Sequence, residues 1–254
     1  RIYIPPRTIH EWKRSATPRS LPLVIRPELS ELIASIIADC RVWQIQIQLR
    51  TTDRAFAEET ARRAQVVIGG RRRYKVKPGK DCFILVIPHH SALAYIIRER
   101  LFIVLAELYP THFIRGFGDG DGGPNVYSAN KFRAFITFVS TDERLLNLIE
   151  KLLPRYNIKL SVRISHPKRR IYSDARESLT TLYRSIHRFD DIKTYARYIG
   201  FGVFWKQEKL EDALYVIENY PPRERPRVWR EELVHNRAVW TADVGKEGVV
   251  RRPL

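Results

Sequence analysis

Apolar residues recur along this chain in two rhythms that take turns. Over 27–39, Leu29, Leu32, Ile33, Ile36 and Ile37 keep the three- and four-residue spacing of a helix with one apolar face. Pro27 and Glu28 suit its first turn. From 41 to 50 the period drops to two. Trp43, Ile45, Ile47 and Leu49 alternate with Gln44, Gln46, Gln48 and Arg50, which predicts a half-buried strand with a polar face. A helix follows over 53–64, with Asp53 as its cap. Arg71, Arg73, Lys75 and Lys77 then share one face of a basic strand that turns at Pro78-Gly79. The apolar run 82–88 reads as its buried partner, and 91–108 as one helix ended by Pro110.

The order then repeats. A second helix covers 113–121, and a strand pair covers 125–140, with Lys131, Arg133 and Thr137 on one face and Phe132, Ala134, Ile136 and Phe138 on the other. Asp142 caps a helix over 143–153, closed by Pro154. Lys159, Ser161, Arg163 and Ser165 alternate with apolar neighbours up to the basic turn Pro167-Lys168-Arg169-Arg170. A partner strand at 180–187 and helices at 190–199 and 206–215 complete the unit. Two long units are too few for a solenoid and predict two halves about a pseudo-twofold axis. Basic segments flank them at 1–24 and 221–254, and Trp229 and Trp240 predict that part of the latter packs.

Two stretches carry candidate chemistry. In 32–40 small residues, Ala34 and Ala38, stand four apart before Asp39; in 114–122 Gly116 and Gly120 stand four apart before Asp121. Each such glycine weakens a lone helix by roughly 1 kcal/mol against alanine, which implies a second backbone packed close. Two helices joined along these faces would set Asp39 and Asp121 side by side at helix C-termini. Negative charge is disfavoured there, and two carboxylates in one site repel. A divalent cation relieves both, and carboxylate with carbonyl oxygen suits Mg²⁺. Taken alone, Asp119-Gly120-Asp121-Gly122 also reads as a surface loop.

On these residues the chain resembles the LAGLIDADG homing endonuclease family, in its single-chain form with two motifs, encoded in archaeal or organellar introns or inteins. Ile114 to Gly122 fits the nine-residue motif, led in by Phe113-Ile114-Arg115-Gly116-Phe117; Leu32 to Cys40 fits more loosely, with Cys40 where glycine is usual. Ile199-Gly200-Phe201 and the segment 206–211 resemble a closing phrase of the second repeat. The resemblance implies an α/β (α+β) fold of two αββαββα repeats, 25–108 and 109–220, whose antiparallel sheets form a saddle around a central two-helix interface. It implies site-specific cleavage of double-stranded DNA across the minor groove at a long asymmetric target, leaving short 3′ overhangs. Asp39 and Asp121 would be catalytic and, with the carbonyls of Cys40 and Gly122, would bind Mg²⁺, with Mn²⁺ substituting and Ca²⁺ binding without cleavage. Two motifs in one chain imply a monomer. The first hairpin is shorter than the family's, and the basic residues that assist the metals do not transfer. Lys131 and Lys168 are candidates for that role, although phosphate contact is the favoured reading of both.

Composition sharpens the choice of partner. The 254 residues carry 45 Lys and Arg against 28 Asp and Glu, a formal net charge of +17. That balance points to nucleic acid first and anionic membrane second. Gln and Arg bond purine edges in the major groove, so Gln44, Gln46, Gln48 and Arg50 are candidate base readers, with Arg71, Arg73, Lys75, Lys77, Lys131, Arg133, Thr137, Arg163, Lys168, Arg169 and Arg170 as further DNA contacts. Cys40 and Cys82 have no zinc spacing and are expected reduced, in an intracellular protein of a prokaryotic cytoplasm (nucleoid) or an organelle. Two binding functions compete with cleavage: an RNA maturase acting on host intron RNA, and a DNA-binding protein without catalysis.

Overall fold

The chain is described by a computed structural model over residues 23–42, 46–69, 73–88, 91–128, 131–163 and 182–234. Gln44, Arg71, Lys168, Arg169 and Arg170 lie outside the described residues, as does the segment 1–22.

Pro27 starts α1 (Pro27–Asp39), whose Leu29, Leu32, Ile33 and Ile36 are fully buried and Ile37 partly so. A short hairpin follows, β1 (Cys40–Val42) and β2 (Gln46–Thr51), then α2 (Arg54–Ile68), β3 (Val76–Pro78) and β4 (Phe83–Pro88). The alternation over 41–50 is thus folded back on itself, as the short first hairpin implied by the resemblance rather than as one strand. Arg41 stands opposite Gln48, and Val42 opposite Ile47. The sheet order is β1-β2-β4-β3, antiparallel throughout. Its polar face carries Arg41, Gln46, Gln48, Arg50 and Lys77 in cross-strand register, while Ile47, Leu49, Leu85 and Ile87 face the core. β4 is half-buried rather than buried, because Val86 shares that outer face.

The helix expected over 91–108 is two helices, α3 (Ser91–Arg98) and α4 (Phe102–Leu108). The break is at Arg100, whose φ of 56° is left-handed. There the Leu101 N–H donates to Ile96 O and the Arg100 N–H to Ile97 O, the paired bonds of a helix stop usually filled by glycine. Pro110 opens α5 (Pro110–Asp121) rather than merely ending what precedes it.

The second half repeats the order: β5 (Gly122–Tyr127), β6 (Arg133–Ser140), α6 (Glu143–Leu152), β7 (Ser161–Arg163), β8 (Leu182–Ile186), α7 (Phe189–Tyr198) and α8 (Phe204–Asn219). Its sheet order, β5-β6-β8-β7, mirrors the first. The caps repeat too. Thr51 Oγ1 accepts from the Asp53 N–H and Ser140 Oγ from the Asp142 N–H, each at 3.1 Å, and each aspartate then caps its helix. Beyond α8, α9 (Arg225–Val228) brings Trp229 against Phe132, with ring centroids 5.6 Å apart, beside Ala213, Val216 and Val126. So the first part of the basic tail packs on the back of the second sheet.

α1 and α5 form the central contact of the molecule. A Cβ on Gly116 would lie 2.2 Å from Glu31 O, and one on Gly120 would lie 2.6 Å from the Ala38 Cβ. Glycine is needed at both positions for space, and its helix penalty is offset by the close packing it permits. The fold is therefore a mixed α/β arrangement of two antiparallel sheets flanking a helix pair.

Candidate active site

Asp39 and Asp121 are the last residues of α1 and α5. The glycine contacts hold the two helix ends together, since the Gly120 position lies within 3.7 Å of the Asp39 Cβ. Asp39 stands at the rim, open to solvent on one side and crowded on the other. Burial raises its carboxyl to about 6, against a lowering by Lys206 and with a further rise from Asp53. Asp121 is pushed to about 7 by burial and then by the charge of Asp39, with Lys206 opposing. Among the described residues neither carboxylate forms an ion pair. Two mutually repelling carboxylates at adjoining helix ends fit a hard divalent cation, with Lys206 as the positive charge already beside them.

The residues after the two acids differ. Cys40 is extended (φ −100°, ψ 148°), a conformation open to any residue, so losing the motif glycine strains nothing. Its thiol is pushed up by burial and then by Asp39, which leaves the carbonyl as its hard donor. Gly122 is extended as well, but a Cβ there would lie 2.9 Å from both Gly118 Cα and Thr137 O. Its carbonyl already accepts from Lys206 Nζ at 2.7 Å.

Lys206 is a residue the sequence reading missed in this role. It is 5% exposed and also donates to the carbonyls of Gly118 and Asp119, so its ammonium closes the C-terminus of α5. Burial lowers its pKa, and Asp119, Asp53, Asp121 and Asp39 act to raise it. The signal was present: Lys206 falls on the helical spacing of Leu210, Ala213 and Leu214, the apolar side of α8. A lysine in an apolar stripe is either misplaced or engaged.

A second missed group lies behind the acids. Arg63 and Asp119 form a buried ion pair, and Arg63 also reaches Glu31 at 2.8 Å, Glu59 at 3.3 Å and Ser35 Oγ at 2.7 Å. Asp119 accepts the N–H groups of Gly202 and Val203, 3.0 and 3.2 Å away, at the N-terminus of α8. That is a favourable place for negative charge. The Trp205 Nε1–H donates to Asp53 at 3.0 Å, and Arg115 to Ile199 O at 2.7 Å. The segment 199–206 thus locks both halves around the acids.

Of the expected nucleic-acid contacts, Gln46, Gln48, Arg50 and Lys77 share one face of the first sheet, and Arg73 and Lys75 are on its exposed approach. Arg133 and Lys131 are exposed at the outer end of the second sheet. Strand register sets Arg163 on the same face as Ser161 and Thr137. Thr137 departs from the expectation in detail. It is 8% exposed, and its hydroxyl pairs with Asn125 Nδ2 at 3.1 Å and Ser185 Oγ at 3.4 Å, so it supports those neighbours.

Two packed helices ending in acids, flanked by antiparallel sheets with polar faces, are the arrangement of the LAGLIDADG fold. Residues 109–200 match the family model described as a LAGLIDADG-like domain. It is 29% identical over 127 residues to the uncharacterized protein MJ0398 of Methanocaldococcus jannaschii, a match covering 48% of this chain and 44% of that protein. The chain therefore spans less than half the length of this curated relative. Among solved structures, I-DmoI in complex with DNA and Mn is similar with a TM-score of 0.50 and 12% identity, over 69% of this chain and 97% of that one. Full-length DUF199/WhiA from Thermatoga maritima is similar with a TM-score of 0.52 and 18% identity, over 87% and 71%. At these identities the likeness establishes the fold.

Proposed function

We propose that the protein is a site-specific double-strand DNA endonuclease that hydrolyses phosphodiester bonds with divalent metal at Asp39 and Asp121. The observation that carries this reading is that one acid from each repeat ends a helix at the close contact of α1 and α5. Divalent cations bound there would supply an activated water and charge stabilisation for the leaving oxygen. The chain's own residues do the rest. Asp39 and Asp121, in their ionised forms, would hold the cations. Lys206 fixes the α5 terminus by three carbonyls, which keeps Asp121 in place. The Gln, Arg and Lys faces bind backbone and base edges, with phosphate contacts supplying most of the affinity. The DNA and Mn bound by I-DmoI support the choice of partner and of metal class.

A binding protein of the same fold, whether an RNA maturase or a DNA-binding protein without cleavage, is the second reading. One observation favours it: the Gly122 carbonyl expected to face a metal is already taken by Lys206.

Incubation with Mg²⁺ and a randomised duplex library at low salt separates the two. The wild type is expected to cut a defined long site with a short 3′ stagger. Asp39→Asn and Asp121→Asn should each bind but cut at least about 100-fold more slowly, the scale of losing a metal ligand. Equal binding by all three proteins with no cleavage, even in Mn²⁺, would overturn the endonuclease reading in favour of binding.

A further inference from the structure

The outer end of the second sheet carries, beside two of the cations assigned to DNA phosphates, a row of rings that duplex cleavage does not use. Tyr127 and Phe135 are stacked, with ring centroids 5.6 Å apart and planes 14° apart; Phe135 and His187 follow at 5.0 Å. Strand alternation puts Tyr127, Arg133 and Phe135 on the face opposite Ile136, Phe138 and Ile186, away from the core. Tyr127 is 59% exposed. Lys131 and Arg133 stand beside the row, exposed, and neither is in an ion pair among the described residues. These side chains line one open cavity. The matching position on the first sheet holds Gln46: the pair Cys40 and Leu49 corresponds to Gly122 and Phe138, which sets Gln46 where the second sheet has Phe135.

Rings and hydrogen-bonding amides do different work on nucleic acid. Gln46 and Gln48 suit base edges in a groove. Bases inside a duplex already have both faces covered, so exposed rings gain little from them. An unpaired base offers a free π-face, and stacking on it tolerates any sequence. Flanking cations place the sugar-phosphate chain of such a strand, and the charge of +17 disfavours a basic peptide as the occupant.

We propose that Tyr127, Phe135 and His187 form a stacking platform for unpaired nucleotides of a single strand, with Lys131 and Arg133 on its phosphates. RNA and DNA share this chemistry, so the test carries both. The platform needs neither Asp39 nor Asp121, and its failure is distinguishable from failure of the cleavage reading.

The test is fluorescence anisotropy of the full chain in a metal chelator at fixed salt. The probes are labelled oligo-U, oligo-dT and a mixed-sequence duplex, each about 12 nucleotides long per strand. Tyr127→Leu and Phe135→Leu should each weaken single-strand binding roughly tenfold, the scale of losing one stacked base, and change duplex binding less than about twofold. A single strand containing 2-aminopurine should be quenched by the wild type and not by either variant. Tyr127 is a surface residue, so its variant keeps the test valid if Phe135→Leu melts early. A drop with only one of the two sugars supports the platform and names its natural strand. Unchanged single-strand binding, a parallel loss on duplex, or quenching that survives both substitutions overturns it.

Discussion

The two motif helices end in the same acid but are built differently around it. In α5 the residue two before the acid is Asp119, buried against Arg63 and capping α8; in α1 the same place holds Ile37. Small residues meet as glycine on one side and alanine on the other. The hairpin that follows is paired over three positions in the first half and six in the second. The comparison teaches that a twofold site can be kept while its supports are divided: the second motif anchors the closing segment, and the first supplies the flat partner surface.

The largest effect should come from breaking the anchor. Asp119→Leu leaves Arg63 buried with less compensation and the α8 N-terminus uncapped, and should cost about 3–5 kcal/mol in urea unfolding. Ile37→Val at the matching position should cost less than about 1.5 kcal/mol. Similar costs at the two positions would erase the asymmetry. Next comes the helix contact. Gly116→Ala drives a methyl into Glu31 O and should destabilise by about 1–3 kcal/mol, although alanine is the better helix former.

The acids themselves give a pH-dependent effect with a defined sign. Both carboxyls are raised on folding, from 3.8 to about 6 and about 7. The folded protein therefore holds protons that the unfolded chain has released, and stability falls as pH rises from about 4 to about 7. Asp121→Asn should raise the Tm of the metal-free protein at pH 8 by a few degrees, roughly 2–4 °C per kcal/mol relieved, and change little at pH 4. Added Mg²⁺ should reverse the order at pH 8, because only the wild type gains by binding it. The smallest effect is on phosphate contact. Arg50→Gln and Arg133→Gln should each lower the slope of log affinity against log salt by about 1. Unequal slopes would show that the sheets bear unequally on the backbone.

Much of the architecture was legible because it is local. Helix periodicity gave α1 and α6, Asp53 and Asp142 announced their caps, and the small-residue spacing foretold the helix contact. What escaped was set by partners far along the chain. Arg63 reads as one more surface arginine until Glu31 and Asp119 close on it. The break at Arg100 needs a left-handed residue where no glycine marks it. The short hairpin within 40–51 was implied by the resemblance, but its turn could not be placed, because both strands obey the same alternation and folding back leaves the pattern intact.

The bond from Ser35 Oγ to Gly116 O joins residues 81 apart, at the seam where the paired acids meet. A ribosome building this chain completes α1 long before α5 exists, and the closing segment 199–206 comes later still. Domains form as they are synthesised, N-terminal parts first. The acid pair thus cannot form until residues 110–121 have been made, and the segment that locks it follows some 80 residues later. An aborted product would carry the polar sheet of the first half with a single acid, able to touch nucleic acid and unable to assemble the pair.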